Sequence, residues 1–474
     1  MNGKQLETFI FWKSLKMPYS WIEKNNNEDE FIFSKEKIYS HRDFYNLSME
    51  YLEFANENIS KNEKICFISN DIIKYAIFSN IIPMAGGIFV PMNPKSSVYE
   101  IQNKMKIINS DKIFYDKTID LENIPNIKKI KIFSNKNSKN NSFWPNEEDP
   151  FCILFTSGSS GQPKPVTISR KNIESSCIAS QKNLEVRIDD IWLLCMPPYH
   201  AGGLSIIFRS LILSTKFYIM NSFNPREIFD LINESKVSII SLVPTMLISI
   251  LEIFEREEMK APSSFNFILC GGAKVSEELI IRAKMSNIKI LPTYGMTETT
   301  SQIATAAPKD NNRPSGSVGK LLDKMQIKFS EKNEILVKGP NVAKYYESES
   351  TEWLETGDFG YIDASKYLFV EGRIDDLIIS GGENVNPLEI ENEVNKIEEI
   401  NECCVFGISD EYWGNKVCME VYLSKNISSD EIKKRLKDLD NFKIPKEIFF
   451  SNQNLPKLNN GKIDRKKISQ KYYE

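Results

Sequence analysis

The feature that most constrains this chain is a polar segment, residues 156–165, in which hydroxyl groups, glycines and one lysine directly follow an apolar run. The apolar run, residues 151–155, is typical of a buried strand, and α/β sheets bind ligands at strand ends. Glycines allow successive backbone N–H groups to converge on an anion, and Lys164 adds positive charge. The segment is not a Walker A sequence, because Gly158 and Gly161 are too close together. It predicts a phosphate-binding loop, with a plain flexible loop as the alternative.

Length and charge narrow the class of protein. A chain of 474 residues is too long for one ordinary domain and favours two or three. Its 41% hydrophobic and 26% charged residues are typical of a soluble globular protein. A net charge of -4 provides no global field for nucleic acid or an anionic membrane. No segment has the length and apolarity of a signal peptide or a membrane span, so we expect a cytoplasmic protein.

Cysteine and histidine usage argues against several kinds of site. The cysteines are scattered, mostly inside apolar runs and without a CxxC pair, so we expect buried free thiols rather than zinc ligands or disulfides. They are Cys66, Cys152, Cys177, Cys195, Cys270, Cys403, Cys404 and Cys418. The chain has only two histidines, His41 and His200, which argues against a histidine-based metal centre or a Ser/His/Asp triad.

The order of apolar segments predicts an α/β fold of layered sheets. Strand-like runs alternate with amphipathic ones, and several of these runs end in proline or glycine. Predicted strands include residues 65–69, 87–92, 191–197, 238–244 and 266–273, and predicted helices include residues 72–78, 387–397 and 429–439. The pattern becomes β-like after Lys328 and compact α+β after Arg373, which predicts a domain boundary near residues 371–376. The Asn- and Lys-rich residues 124–142 favour a surface strand and loop.

Four further motifs follow the first segment in order along the chain: residues 294–298, 356–358, 372–384 and 456–465. Together the five motifs resemble the acyl-adenylate-forming superfamily of acyl-CoA synthetases, adenylation domains and luciferases, from about residue 36 onward. The resemblance implies ATP, Mg²⁺ and coenzyme A as reactants and cofactors. The chemistry agrees with the composition, because joining a carboxylate to AMP creates a good leaving group without a protein nucleophile.

The resemblance implies roles for residues in the large part of the chain. Residues implied to bind the phosphates are Thr156, Ser157, Gly158, Ser159, Ser160, Gly161, Lys164 and Thr297. Glu298 is similar to the family's Mg²⁺-coordinating carboxylate, although a Thr-Glu pair alone is more often a helix cap and a surface charge. Asp358 and Arg373 resemble the ribose contacts, with a simple turn as the alternative. The implied adenine site lies between Tyr294, followed by Gly295, and the strip Gly271, Gly272 and Ala273.

The C-terminal motifs imply a second, mobile part. Lys462 resembles the lysine that bridges the substrate carboxylate and the α-phosphate, while its ordinary interpretation is a solvated surface charge. Asp375 matches the hinge position, which implies a large N-terminal domain over residues 1–374 and a small α+β lid domain over residues 375–474. Gly381 and Gly382 match a pair that lines the pantetheine tunnel, with a hairpin turn as the alternative. Rotation of the lid would exchange Lys462 for this glycine pair.

The acid that is activated is suggested by two residues. His200 resembles the histidine of the family's acyl-pocket motif, with a core or helix-capping role as the alternative. Arg209 follows within an apolar helical run. A buried arginine needs a partner, which a second carboxylate on the substrate or a protein carboxylate would provide. This placement, with residues 294–305 and 380–384, looks like the o-succinylbenzoate:CoA ligases of menaquinone biosynthesis.

Three other functions remain open at this stage: a benzoate- or fatty-acid-type CoA ligase, an enzyme that loads a carrier protein, and an inactive nucleotide-binding scaffold. Retention of Lys462, Glu298 and Asp358 argues against the scaffold. The sequence departs from the family at Pro165, which replaces a glycine and removes a backbone donor at the end of the loop. A homo-oligomer is compatible with the sequence, which does not determine the oligomeric state.

Overall fold

A computed structural model describes residues 20–23, 27–119, 121, 127–134, 143–157, 162–343, 352–381, 383–437, 439–458 and 463–472. The helices are α1 (His41–Asn58), α2 (Ile72–Met84), α3 (Val98–Ile107), α4 (Arg170–Leu184), α5 (Ala201–Leu213), α6 (Pro225–Asn233), α7 (Pro244–Arg256), α8 (Glu277–Met285), α9 (Pro387–Val394), α10 (Ser429–Arg435) and α11 (Arg465–Gln470), with 3₁₀ helices η1 (Thr297–Thr299) and η2 (Ile374–Asp376).

The strands, in chain order, are β1 (Glu30–Phe33), β2 (Ile38–Ser40), β3 (Lys64–Ile68), β4 (Ile88–Pro91), β5 (Lys112–Tyr115), β6 (Lys128–Lys131), β7 (Pro150–Ser157), β8 (Pro163–Ser169), β9 (Ile191–Leu194), β10 (Lys216–Ile219), β11 (Ile239–Leu242), β12 (Phe267–Cys270), β13 (Ile290–Tyr294), β14 (Ala304–Thr305), β15 (Lys320–Leu321), β16 (Gln326–Phe329), β17 (Glu334–Lys338), β18 (Leu354–Ile362), β19 (Leu368–Arg373), β20 (Ile378–Ser380), β21 (Glu383–Val385), β22 (Ile400–Asp410), β23 (Gly414–Leu423) and β24 (Glu447–Ser451).

Two large, mostly parallel sheets form the N-terminal part. One has the strand order β6-β5-β3-β4-β7-β8, with only the edge strand β8 antiparallel to its neighbour. The other has the order β15-β14-β13-β12-β11-β9-β10-β1-β2, and its parallel centre runs from β1 to β13. One hydrophobic cluster contains residues of both sheets, among them Phe151 and Trp192. This shared core is what holds the ends of β7 and β13 in one body.

The remaining strands form two smaller sheets. Strands β16 to β19 make an antiparallel sheet, and β20 to β24 make a separate five-stranded sheet at the C-terminal end. Strands β22 and β23 pair along their whole length, and their apolar residues pack with α9 and α10 in a core of their own. The prediction of an α/β fold with a large N-terminal and a small C-terminal part is confirmed.

Several local predictions are also confirmed. The strands predicted at 191–197, 238–244 and 266–273 form β9, β11 and β12, and each ends before the proline or glycine of its segment. All eight cysteines are buried and free. The part of the Asn- and Lys-rich segment that is described forms β6 at a sheet edge. None of the helices in the described part of the chain has the length and apolarity that a membrane span requires.

Candidate functional site

The carboxyl ends of β12 and β13 form a bare stretch of backbone. Gly271 and Gly272 follow β12, and Gly272 has φ +78°, a conformation that favours glycine. A Cβ on Gly271 would lie 2.6 Å from the Thr293 methyl group, so the close approach of β12 and β13 also requires a missing side chain there. Gly272 and Ala273 are exposed. The edge therefore offers a flat backbone surface on which a planar ring can lie.

A cluster of polar side chains stands beside this edge. The Tyr294 hydroxyl donates to Asp358 Oδ2 at 2.7 Å, and Arg373 Nη1 donates to Asp358 Oδ1 at 3.2 Å. Arg373 Nη1 also donates to the Thr356 carbonyl at 3.0 Å. Asp358 and Arg373 are partners in the β18–β19 ladder, so strand pairing fixes their separation. The Thr-Gly-Asp motif thus lies inside a strand and is not a simple turn.

Gly357 makes room for this cluster. Its φ is +69°, and a Cβ at this position would lie 2.7 Å from Arg373 Nη2. Its N–H donates to Glu334 Oε1 at 3.0 Å. A larger residue would therefore strain the backbone and displace the guanidinium from Asp358.

The protonation states in the cluster follow from burial and charge. Burial raises the pKa of Tyr294 well above its usual range, and the negative charge of Asp358 raises it further. Tyr294 is therefore a neutral donor at physiological pH. Asp358 accepts hydrogen bonds from Tyr294 and Arg373, and a carboxylate can accept several hydrogen bonds at once, which suits it to bind hydroxyl groups of a ligand.

Glu298 is a buried carboxylate on η1, four residues after the end of β13. The residue is 8% exposed, and burial raises its pKa, with Arg373 and Lys164 among the charges that oppose this shift. The interpretation of Glu298 as a surface charge is wrong, because the turn at Gly295 folds η1 inward. A Cβ on Gly295 would lie 1.8 Å from the Ser301 carbonyl oxygen. Thr297 is the first residue of η1.

The glycine- and serine-rich segment is described only at its ends. Strand β7 runs through Thr156 to Ser157, and Thr156 faces Lys164 across the β7–β8 ladder. The predicted phosphate contacts Gly158, Ser159, Ser160 and Gly161 lie outside the described residues. Pro165 lies in β8 opposite Phe155, and a proline is tolerated there because β8 is an edge strand. The described ends lie in β7 and β8, which both contact η1, the element that carries Glu298.

A small pocket lies beside this segment. It is lined by Pro91, Asn93, Glu100, Lys104, Phe155, Tyr199 and His200. His200 precedes α5 at the N-cap position but makes no side-chain capping bond, so capping does not account for it. One side of His200 is exposed, yet the surrounding protein desolvates the imidazole and lowers its pKa, and Lys104 lowers it further. A neutral imidazole therefore faces the pocket at physiological pH.

Arg209 is a buried cation on α5. The residue is 2% exposed, its Nη2 donates to Gln302 Oε1 at 2.9 Å, and its guanidinium carbon lies 5.1 Å from the centre of the Trp192 ring. Its Nε has no hydrogen-bond partner, and burial lowers the pKa of Arg209 to about 10. Within the described ranges, no carboxylate lies within ion-pair distance of Arg209.

Arg209 is connected to the cluster of Tyr294, Asp358 and Arg373 through consecutive residues of β13. Gln302, which accepts from Arg209, donates through Nε2 to Thr293 Oγ1 at 3.1 Å and to Thr305 Oγ1 at 2.9 Å. Thr293 is followed in the same strand by Tyr294, the donor to Asp358. Successive strand residues point to opposite faces. The two polar groups therefore flank the end of one strand.

The C-terminal motif residues are placed only in part. Asp375 is exposed in η2, directly after β19. Gly381 has φ +59°, its N–H donates to the Trp413 carbonyl at 2.7 Å, and a Cβ there would lie 3.1 Å from the Trp413 ring. Gly382 and Lys462 lie outside the described residues. The structure therefore gives the surroundings of the predicted hinge and of one glycine, but not the place of the lysine.

Sequence reasoning missed the partners of these residues. Gln302 and Trp192 lie in segments that the sequence singles out, but neither was assigned a contact with Arg209. Lys104 and Glu100, which line the pocket at His200, form an ion pair at 2.6 Å on α3. Their i,i+4 spacing was visible in the sequence, whereas their approach to His200 depends on the packing of distant elements.

Comparison with known protein families and curated proteins gives consistent matches over most of the chain. The family model of AMP-binding enzymes matches residues 20–347, and the model of their C-terminal domain matches residues 389–462. A 2-succinylbenzoate–CoA ligase from Oceanobacillus iheyensis is 39% identical over 334 residues, which cover 67% of this chain and 69% of that protein. One from Bacillus cytotoxicus is 31% identical over 435 residues, which cover 87% and 89%.

Solved structures agree with these relatives. An o-succinylbenzoate coenzyme A synthetase from Bacillus subtilis in complex with ATP and magnesium ion has a TM-score of 0.87 and 27% identity, and the match covers 94% of this chain and 98% of that chain. The same synthetase in complex with its acyl-adenylate intermediate also has a TM-score of 0.87 at 27% identity, with coverage of 95% and 97%.

Proposed function

The chain belongs to the AMP-binding enzymes and, among them, to the 2-succinylbenzoate–CoA ligases, and from this premise we propose that it converts 2-succinylbenzoate to its CoA thioester through an acyl-adenylate. The reaction is an ATP-dependent, AMP-forming ligation of an acid to a thiol. Its product belongs to menaquinone biosynthesis. Benzoate-type ligation and carrier-protein loading are the alternatives that the test below separates.

The observation that carries the proposal is the pair of polar groups at the end of β13. On one side, Tyr294 and Asp358 provide a donor and an acceptor beside bare backbone, which suits a nucleoside. On the other side, Arg209 provides a buried positive charge with no carboxylate partner among the described residues. The acyl-adenylate of an aromatic acid with a second carboxylate would use both groups, one for its nucleoside and one for that carboxylate.

The nucleotide would be bound by the cluster and by the loop after β7. Asp358 would accept the ribose hydroxyls, with Arg373 as the second ribose contact, and adenine would lie between Tyr294 and the backbone of Gly271–Gly272–Ala273. Thr297, Lys164 and the segment 156–161 would contact the phosphates. Because Asp358 is already fixed by Tyr294 and Arg373, it would bind the ribose without prior rearrangement.

The residues at η1 fit a magnesium ion. Glu298 provides a hard oxygen ligand whose ionised form is desolvated, so an adjacent cation would stabilise it. The described residues contain no cluster of three or more His, Cys, Asp or Glu side chains that could hold a metal. Mg²⁺ would therefore be held by Glu298 together with nucleotide phosphates and water, which is its usual mode in phosphoryl-transfer sites. When bound, the ion neutralises charge on the phosphates.

The first half-reaction joins the substrate to AMP. A carboxylate oxygen of the acid attacks the α-phosphorus, the bond from that phosphorus to the β-phosphate bridging oxygen breaks, and pyrophosphate leaves. We assign Lys462 to the two negative groups that approach each other in this step. His200 would lie beside the reacting carboxylate as a neutral imidazole. In the second half-reaction the CoA thiolate attacks the acyl carbon, and AMP leaves with the electron pair of the broken C–O bond.

The test is pyrophosphate release with ATP, Mg²⁺ and CoA over a panel of 2-succinylbenzoate, benzoate and a medium-chain fatty acid. We expect turnover of 2-succinylbenzoate to exceed that of benzoate by at least about a hundredfold in kcat/KM, since the site leaves Arg209 unpaired when the second carboxylate is missing. Free CoA should be sufficient for thioester formation.

Three outcomes would contradict the proposal. A preference for a monocarboxylate would retain the ligase chemistry and remove the role of Arg209. Adenylate formation without transfer to free CoA would favour a carrier protein as the acceptor. No pyrophosphate release with any acid would favour the nucleotide-binding scaffold.

A further inference from the structure

Arg465 lies three residues after Lys462, and its side chain points into the C-terminal sheet. Nε donates to the Val405 carbonyl at 2.7 Å, Nη1 donates to Asp376 Oδ2 at 3.0 Å, and Nη2 donates to Glu391 Oε1 at 2.7 Å. The Arg465 side chain is only 21% exposed. All three guanidinium nitrogens of Arg465 therefore donate a hydrogen bond.

The three acceptors belong to three different elements. Val405 lies in β22, the last strand in the order of the C-terminal sheet, Glu391 lies in α9, and Asp376 ends η2, one residue after the proposed hinge residue Asp375. Glu391 is itself buried and accepts from the Val405 N–H at 2.7 Å. Burial raises the pKa of Glu391, and the Arg465 guanidinium opposes that shift. Arg465 thus fixes the start of α11 to the core and also to the hinge.

The chain on both sides of residues 459–462 is held firmly. Before them, Lys457 Nζ lies 2.6 Å from Glu402 Oε1, and Lys457 forms a β-bridge with Ile463. After them, α11 is anchored by the buried Ile468 and by Lys471, whose Nζ donates to Glu420 at 2.8 Å. Among the contacts described around this segment, the Arg465–Asp376 ion pair is the one that leads directly to η2.

We propose that Arg465 is a positioning residue for adenylation: it joins the start of α11, three residues after Lys462, to η2 beside the proposed hinge residue Asp375, so that rotation at the hinge and the placement of Lys462 are coupled. The inference rests on the proposed function. In this arrangement Arg465 touches neither substrate nor nucleotide, and it acts through the placement of Lys462. A small displacement of a reacting group is enough to matter, because a misplacement of about 1 Å can reduce a rate by about a hundredfold.

The competing explanation is a purely structural ion pair that completes the core of the C-terminal sheet. The two explanations predict different patterns over the half-reactions. Gly381 follows β20, which pairs with β23 of the same sheet, so general damage to the sheet would impair thioester formation as well as adenylation. Loss of the connection between Lys462 and the hinge would impair adenylation selectively.

The experiment compares Arg465→Met, Arg465→Lys and Asp376→Asn in two assays: pyrophosphate exchange for adenylation, and thioester formation from supplied acyl-adenylate. For Arg465→Met we expect adenylation kcat to fall about a hundredfold, with KM for ATP and the rate from supplied adenylate changed less than about threefold. Arg465→Lys should recover part of the loss, because lysine keeps the charge but not the forked geometry. Adding Asp376→Asn to Arg465→Met should cause no further loss.

Arg435→Met is the matched control. Arg435 lies in the same C-terminal part and makes two hydrogen bonds to the Glu399 carboxylate, at 2.9 and 3.1 Å. This pair is exposed and does not involve η2. Both half-reactions should be unchanged in this variant, because exposed ion pairs contribute little.

Parallel losses in both half-reactions, or an unchanged adenylation rate in Asp376→Asn, would overturn the inference. If Arg465→Met does not fold, Asp376→Asn still decides the matter, because it leaves the Arg465–Glu391 pair in place. Failure of the wild-type enzyme to adenylate any acid of the panel would contradict the proposed function and not the role of Arg465.

Discussion

In the proposed site, Glu298 would combine metal binding with a cost to folding. Burial raises its pKa, so the ionised form is penalised in the folded state relative to the unfolded chain. This penalty is absent below the unfolded pKa of about 4.3 and is complete above the raised folded pKa. We expect Glu298→Gln to abolish adenylation and to raise the free energy of unfolding at pH 7.5 by about 1 kcal/mol, the scale typical of neutralised active-site strain.

Denaturant unfolding at pH 7.5 and near pH 4 would test this, since the gain should disappear at the lower pH. Glu174→Gln is the control. Burial also raises the pKa of Glu174, but this carboxylate accepts from Arg170 at 2.8 Å and from Trp21 at 3.0 Å. Its neutralisation should therefore destabilise the protein. Lower stability in Glu298→Gln as well would show that the Glu298 carboxylate has a stabilising partner.

Arg209 should determine the choice of acid. For Arg209→Met we expect KM for 2-succinylbenzoate to rise about tenfold or more, the scale of one charge-assisted hydrogen bond of about 1.5 to 3 kcal/mol. KM for benzoate should not change, because benzoate has no second carboxylate. Gln302→Glu would place a protein carboxylate against Arg209, and it should raise KM for 2-succinylbenzoate in the same way while it increases thermal stability. Unchanged KM values in both variants would return Arg209 to a structural role.

The sequence singled out the residues of the candidate site but few of their contacts. Glu298 and Arg209 could be selected from motif and apolar context. The exposure of Glu298 and the presence of a carboxylate beside Arg209 both depend on residues that are distant in the sequence. Lys164, whose charge acts on Glu298, is more than 40 positions away from it. Pairing over such distances is fixed by packing, which local patterns do not encode.

At the scale of elements, the β18–β19 ladder aligns Asp358 with Arg373, and Gly357 makes that alignment possible. We expect Gly357→Ala to raise KM for ATP about tenfold, because it combines left-handed strain with displacement of Arg373. Gly316→Ala is the matched control: its φ is +81°, but the nearest atoms to an added Cβ lie at 3.9 Å. Both variants should lose stability, and equal KM values for ATP in the two would contradict the role of Gly357.

Elements were easier to predict than their arrangement. The apolar runs that became β9, β11 and β12 are buried on both faces, and such runs are the clearest strand signal. The Thr-Gly-Asp motif was ambiguous, because its local sequence favours a turn. Its inclusion in β18 depends on pairing with β19, which begins six residues after β18 ends and places Arg373 opposite Asp358.

At the scale of the whole molecule, the two half-reactions should separate on Lys462. We expect Lys462→Ala to reduce pyrophosphate exchange by at least about a thousandfold, since preorganised charge stabilisation is among the largest catalytic contributions. Thioester formation from supplied acyl-adenylate should remain largely intact, because the attacking thiol needs no second charge at the phosphate. Equal losses in both assays would contradict the role assigned to Lys462. Lys396→Ala is the lysine control: it removes an exposed ion pair to Glu393 in the same C-terminal part, and both rates should be unchanged.

The division into two parts could be predicted only as a change of pattern. The C-terminal residues have their own core, which is consistent with the β-like and then mixed pattern after Arg373. The hinge at Asp375 and the boundary between residues 374 and 375 remain predictions, because a single conformation does not show a rotation of one domain against the other. Arg465 illustrates the same limit: its motif marks it, but its three acceptors come from 60 to 89 residues earlier.

The two prolines of β8 also affect the tendency of the folded protein to aggregate. An exposed sheet edge offers unpaired N–H and C=O groups to any passing strand, and this is a common route to aggregation. Pro163 and Pro165 occupy alternate positions of the edge strand β8 and have no N–H to offer. Pro165, which replaces the glycine usual at the end of the loop, therefore also makes this edge a poor template for pairing with a strand of another protein molecule.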